Sequence, residues 1–169
     1  FPLVLATEIA PGRLYRLGGT VKLDGRISWV PRDATGYQPI NCYLVLGDNQ
    51  ATLIDTGVVA HRDQVMAQLR QILPPGLPLN VFLTRSEYET SGNAGPVHGA
   101  FGVQQLFAGG TGNFFDGYNE VAGFAAKWDQ RVQLARILPG DGVALDASKR
   151  LTVLTAPIRV LTTFWIFDN

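Results

Sequence analysis

The chain has 169 residues, 46% of them apolar and 17% charged, which is the profile of a folded chain with a real hydrophobic core and excludes a disordered one. Its 14 basic residues balance 14 acidic ones, so the net charge gives no electrostatic ground for nucleic acid or an anionic membrane surface as partner. No window approaches the roughly 20 apolar residues of a membrane helix, and the single cysteine, Cys42, excludes an intramolecular disulfide, which is compatible with a reducing compartment; a cytoplasmic setting is the expectation.

Residues 3–9 are apolar-rich, residues 13–17 alternate and residues 21–23 are short; Pro11-Gly12 and Gly18-Gly19 separate these three predicted strands. Residues 41–46 and 51–54, joined by a turn at Gly47-Asp48-Asn49, predict a hairpin of two largely buried strands. Cys42 lies in the first of them and reads as a buried, inert thiol. From His61 to Leu73 the apolar set Val65, Met66, Leu69, Ile72 and Leu73 recurs at helical spacing. Pro74-Pro75-Gly76 ends that helix, because proline cannot continue the ladder and restricts the residue before it. His61, at the helix start, is expected at the surface.

A short strand over residues 80–84 leads into the polar loop Arg85-Ser86-Glu87-Tyr88-Glu89-Thr90, then a second helix over 97–101 and a strand over 103–107. His98 falls in that helix and reads as a packing or exposed residue; nothing orients it toward Ser86 or Ser91 as a nucleophile–base pair. The glycine- and aromatic-rich stretch 109–128 reads as loop. Its Gly109-Gly110-Thr111-Gly112-Asn113 lacks the lysine of a phosphate-cradling loop, and Phe114, Phe115, Tyr118, Phe124 and Trp128 read as core or lid packing. Strands over 134–138, 151–156 and 159–167 close an α/β pattern.

Two elements in combination carry more than either does alone. The hairpin ends in Leu53-Ile54-Asp55-Thr56-Gly57 ahead of an amphipathic helix, and the next strand ends in Thr84 ahead of a loop with two acids and a small-residue helix start, Ser91-Gly92-Asn93. This order resembles the metallo-β-lactamase superfamily, and within it the flavodiiron branch more closely. The resemblance spans roughly Ile9 to Asp168 and implies an α/β fold of the αββα sandwich type. Residues 1–169 are expected to form a single domain supplying the first half of that sandwich or slightly more, with the C-terminal part missing, since the chain stops just after the apolar strand that ends in Trp165-Ile166-Phe167-Asp168.

The flavodiiron loop reads His-x-Glu-x-Asp. Laid on that pattern, Arg85 stands at the His position, Glu87 matches the Glu ligand and Glu89 stands at the Asp position. Thr90 stands where the superfamily often has a further His, and Arg159 falls at or beside a later His ligand. In the family the residue at Asp55 braces the motif loop, and the resemblance implies the same structural role here.

The departures from the pattern set the functional expectation. A guanidinium stays protonated and offers no lone pair, so neither Arg85 nor Arg159 can ligate a cation. Two carboxylates without an imidazole make a poor zinc or iron site. No intact metal site, no catalytic residue and no cofactor is expected. Three readings of the loop stand open: ion pairs of Arg85 and Arg159 with Glu87, Glu89 and Asp55 in place of metals, the leading one; charges simply solvated at a loop; or an oxygen-ligand site favouring Mg, Ca or Mn. The expected function is that of a metal-free or metal-poor family member, a non-catalytic binding, sensor or assembly subunit. The alternative is an active hydrolase or di-iron oxygen-reacting protein whose zinc or di-iron ligands lie outside this chain. Half a sandwich leaves a sheet face and an edge uncovered, so a homo-oligomer or a partner chain completing the core is the expected partner, with no membrane span.

Overall fold

The computed structural model describes residues 5–28, 30–85, 87–109, 133–157 and 163–168. The N-terminal half is an antiparallel meander of β1 (Thr7–Ala10), β2 (Leu14–Leu23), β3 (Gly36–Leu46) and β4 (Ala51–Ile54). From β4 onward the sheet turns parallel through β5 (Leu79–Leu83), β6 (Gln105–Ala108) and β7 (Gln133–Arg136). Parallel neighbours need a crossover, which a hairpin turn cannot supply. Helix α1 (Arg62–Ile72) provides it between β4 and β5, and α2 (Tyr88–Ser91) with α3 (Ala94–Phe101) provide it between β5 and β6. The strands run in chain order, β1 to β7, across the sheet. A second sheet, antiparallel, holds β8 (Gly142–Ala144), β9 (Arg150–Thr155) and β10 (Phe164–Asp168), with β9 in the middle.

Alternation along the central strands sorts the two cores. Leu44, Val81 and Leu83 face the helices and join Val65, Met66 and Leu69 of α1 and Ala94 and Val97 of α3. Their neighbours Val45 and Phe82 face the other way and pack with Val143, Leu151, Val153 and Phe164 of the second sheet. All five residues of β5 are buried, as expected of a parallel strand covered on both faces. The layers are therefore helix, sheet, sheet: a mixed α/β fold holding three of the four layers of the expected αββα sandwich among the described residues. No helix among the described residues is long and apolar enough to cross a membrane.

Several boundaries differ from expectation for identifiable reasons. Gly18-Gly19 does not break β2. Gly18 sits at φ +102, where any side chain would run into the Ile40 carbonyl, and the strand continues through it. Its N–H donates to Gln68 Oε1 at 2.9 Å and its carbonyl accepts from the Gln64 amide, so α1 is tied onto this strand. The same docking buries His61, with 8% of its surface exposed and Nε2 at 3.1 Å from the Thr20 carbonyl, so the expectation of a surface histidine is corrected. Strand β3 begins at Gly36 and not at 41, since Gln38 and Pro39 pair with Val21 and Thr20. The expected first strand is seen as Thr7–Ala10, and α3 starts at Ala94, three residues before the expected 97, stopping at Gly102 in the left-handed region (φ +66). The short β8 was not anticipated. Residues 110–132, with the aromatics named above, and Arg159 lie outside the described residues.

Candidate functional site

The last residue of β4, Ile54, runs into Asp55-Thr56-Gly57, and each of these three residues is fixed from the β5 side. Asp55 adopts φ +59, a conformation that costs on the order of 1 kcal/mol for a side-chain-bearing residue and is best tolerated by Asp and Asn. It is held there from three directions. Its N–H donates to the Phe82 carbonyl at 2.8 Å, and its carboxylate accepts from the Thr84 N–H at 2.8 Å and the Thr84 hydroxyl at 2.7 Å. Burial raises the Asp55 carboxyl to about 6, against the pull of the Thr84 hydrogen bonds and the Arg85 charge; the nearby Glu89 carboxylate adds to the rise.

Thr56 and Gly57 are interlocked with the start of α3. The Thr56 hydroxyl donates to the Thr90 carbonyl at 2.9 Å and accepts from the Asn93 N–H at 3.1 Å. Asn93 has no exposed surface, and its amide donates to the carbonyls of Thr56 and Val58, both at 2.9 Å. A Cβ on Gly92 would lie 2.7 Å from the Tyr88 carbonyl oxygen and 3.0 Å from that of Gly57, so only glycine lets these two backbones meet. The two sequence motifs, Asp-Thr-Gly and Ser-Gly-Asn, are therefore the two halves of one packed junction.

The loop between them carries the remaining candidates. Arg85 pairs with Glu89 at 2.6 Å. Thr90 is buried and its hydroxyl lies 2.7 Å from the Arg85 carbonyl and 2.8 Å from that of Glu87, while the Ser91 hydroxyl donates to the Glu87 carbonyl at 2.6 Å. Where the superfamily pattern often has an imidazole, Thr90 closes a turn.

Asp55, Thr84, Arg85, Glu87, Glu89 and Thr90 line one side of a cleft of about 520 Å³, within the usual range of small-ligand sites. The other wall is Gln38 to Asn41 of β3. The structure thus brings together Asp55, Arg85, Glu87, Glu89 and Thr90, while Arg159 lies outside the described residues. The β3 wall was not anticipated, because the predicted strand starts at 41, after Gln38 and Pro39; the one signal was the apolar alternation of Ile40, Cys42 and Leu44, which runs back toward it.

Among the described residues the donor set does not fit a dimetal centre: no group of three or more His, Cys, Asp or Glu converges on one point. Asp55 is bonded to Thr84 and Glu89 to Arg85, and neither His61 nor His98 lines the cleft. Imidazole and carboxylate ligands in number are what zinc and iron require.

No protein-family model matches the sequence, and no curated protein matches it. Solved structures do. A flavodiiron protein from Giardia intestinalis superposes with a TM-score of 0.69 at 13% identity, over 98% of this chain and 38% of that one. The rubredoxin oxygen:oxidoreductase of Desulfovibrio gigas gives 0.66 at 18% identity, over 96% and 38%. A metallo-β-lactamase with a HARLDQ motif from Cronobacter sakazakii gives 0.59 at 13% identity, over 95% and 58%. The chain spans well under half the length of the first two, and at such identities the likeness speaks for the fold and not for the chemistry. The chain carries part of the metallo-β-lactamase fold, in the form shared by the flavodiiron proteins.

Proposed function

We propose that this chain is a metal-free or metal-poor member of the metallo-β-lactamase fold group that binds a partner at the cleft and turns nothing over, serving as a binding, sensor or assembly subunit in a cytoplasmic setting. The Arg85–Glu89 ion pair is the observation that carries this reading. Carboxylates gathered in a partly enclosed place repel each other unless a positive charge stands among them. In a dimetal site the ions supply that charge. Here the guanidinium of Arg85 supplies it from within the chain, and Thr84 takes up both oxygens of Asp55. Arg85, Glu87, Glu89 and Thr90 are then the remains of a metal loop, with Asp55 as its brace. A second copy or another chain that completes the core would cover the outer face of the small sheet, where Trp165 and Phe167 are 55% and 57% exposed.

Elemental analysis of the purified protein, with its mass measured on the same sample, tests the proposal. After incubation with Zn, Fe or Mn and gel filtration, the expected content is below about a tenth of an equivalent of any of them. A full equivalent or more, lost on mutating Glu87 and Glu89 to Gln, overturns it.

A further inference from the structure

We propose that the edge of β3 beside the cleft, which no strand among the described residues covers, takes up an extended peptide bearing lysine or arginine side chains, which joins the sheet as an added strand. This rests on the reading above to the extent that the cleft is a binding site open to a peptide.

The edge is defined by register. β3 pairs with β2 without interruption from Gly36 to Val45, but with β4 only from Tyr43 to Leu46. Among the described residues, 36–42 therefore have no strand on the β4 side. Leu46 N–H donates to the Arg13 carbonyl at 2.8 Å, on the β2 side. Backbone groups alternate sides along a strand, so the even-numbered residues of β3 address β2, and Tyr37, Pro39 and Asn41 turn theirs toward the cleft.

The opposite edge of the same ribbon supports this direction. Gly18 is the partner of Asn41 and Thr20 that of Pro39, so both should turn their backbone groups outward on the far side. They do: Gln64 and Gln68 hold Gly18 there, and His61 holds the Thr20 carbonyl. One edge of the ribbon is thus capped by side chains of α1 and the turn before it, while the other lines a cleft.

Charge selects the occupant. Among the described residues three carboxylates line the cleft, Asp55, Glu87 and Glu89, with the guanidinium of Arg85, and this balance favours a cationic peptide over an acidic one. It also argues against a second copy of this chain: the edge segment Tyr37-Gln38-Pro39-Ile40-Asn41 has no basic residue to offer. Pro39 has a carbonyl but no N–H, a gap that discourages unselective strand pairing and makes side-chain charge part of the recognition.

The probe is a fluorescein-labelled heptapeptide of alternating lysine and valine, titrated with the full chain and followed by anisotropy. Saturable binding is expected, with no binding of the glutamate counterpart and loss of binding when alternate backbone nitrogens of the lysine peptide are methylated. Glu87→Gln is expected to weaken binding about three- to tenfold. Asn41→Pro, checked by thermal melting for an intact fold, removes a cleft-facing donor and should weaken it as well. Equal binding of the methylated peptide would mean adhesion by charge alone and would overturn the proposal, as would no binding at all. Dimerisation that Asn41→Pro abolishes would assign the edge to a second copy and likewise overturn it. Metal content measured on the same sample separates the two ideas. A metal-loaded chain that binds the peptide sinks only the metal-poor reading, whereas a metal-free chain that ignores it sinks only this one.

Discussion

Asp55 couples backbone conformation to ionisation. Its folded carboxyl titrates near 6, while an unfolded aspartate titrates near about 3.9. The native state therefore binds more protons than the unfolded state between those values, and stability falls as pH rises through that window, by up to about 3 kcal/mol, then levels off. Asp55→Asn fits the left-handed conformation, keeps an acceptor for the Thr84 N–H and has no charge to desolvate. Denaturant titrations between about pH 4 and pH 7 should show this slope reduced in Asp55→Asn, with stability at neutral pH equal to or above that of the parent. Asp55→Ala, which loses both Thr84 bonds and the tolerance for positive φ, should cost about 2–4 kcal/mol by the same measurement. Asp55 was legible as a brace of the motif loop through the family resemblance, but its partner Thr84 was not, since that residue read only as the end of a strand. His61 was not legible: Arg62 and Asp63 beside it read as a solvated helix start, and its burial depends on Gly18-Gly19 lying beneath the helix.

The strongest sequence signals were at the level of elements with one dominant pattern. The 3.6-residue spacing of Val65, Met66 and Leu69 located α1 almost to its ends, and the hairpin of β3 and β4 followed from two apolar runs and a turn. Signals failed where a long-range contact overrules local chemistry. Gly18-Gly19 and Pro39 look like breaks, yet glutamines of α1 and the pairing with β2 hold both in one ribbon. That dependence gives a prediction for Gln68, which is 1% exposed. Gln68→Leu leaves the buried Gly18 N–H without its acceptor and should lower stability by about 1–3 kcal/mol, read from the shift in denaturation midpoint. Gly92→Ala tests the junction of the two motifs. A methyl there presses on the backbone oxygens of Tyr88 and Gly57, so a loss of at least about 2 kcal/mol is expected despite the better helix propensity of alanine.

Across the whole molecule, Phe82 is, with Val45, a fully buried residue of the large sheet packed against the small one. Its ring lies 6.4 Å from that of Phe107, stacked, and 6.4 Å from that of Phe164, edge-on. Phe82→Ala should cost about 3–5 kcal/mol, with near-ultraviolet dichroism reporting the loosened sheet contact. By contrast Arg13→Ala removes a partly exposed pair with Asp168 at the sheets' edge and should shift stability by no more than about 1 kcal/mol. The layered architecture was expected from the resemblance carried by Asp55-Thr56-Gly57 and the loop after Thr84, and β4 and β5 are each followed by helices as that fold requires. The three-residue β8 was not, because a strand that short has no period to detect.

Cys42, in β3, has no exposed surface and packs in the core on the helix side of the sheet, with burial pushing its thiol up to about 12. The chain's one thiol is thereby a clock for structural opening. A thiol reagent can react only when β3 is released, since the closed state presents neither access nor thiolate. Modification rates across a denaturant series would therefore measure how often the ribbon parts from the sheet. A denaturant slope equal to that of global unfolding would mean that β2 and β3 leave only with the whole core, and a shallower slope would mark the ribbon as a unit that opens by itself.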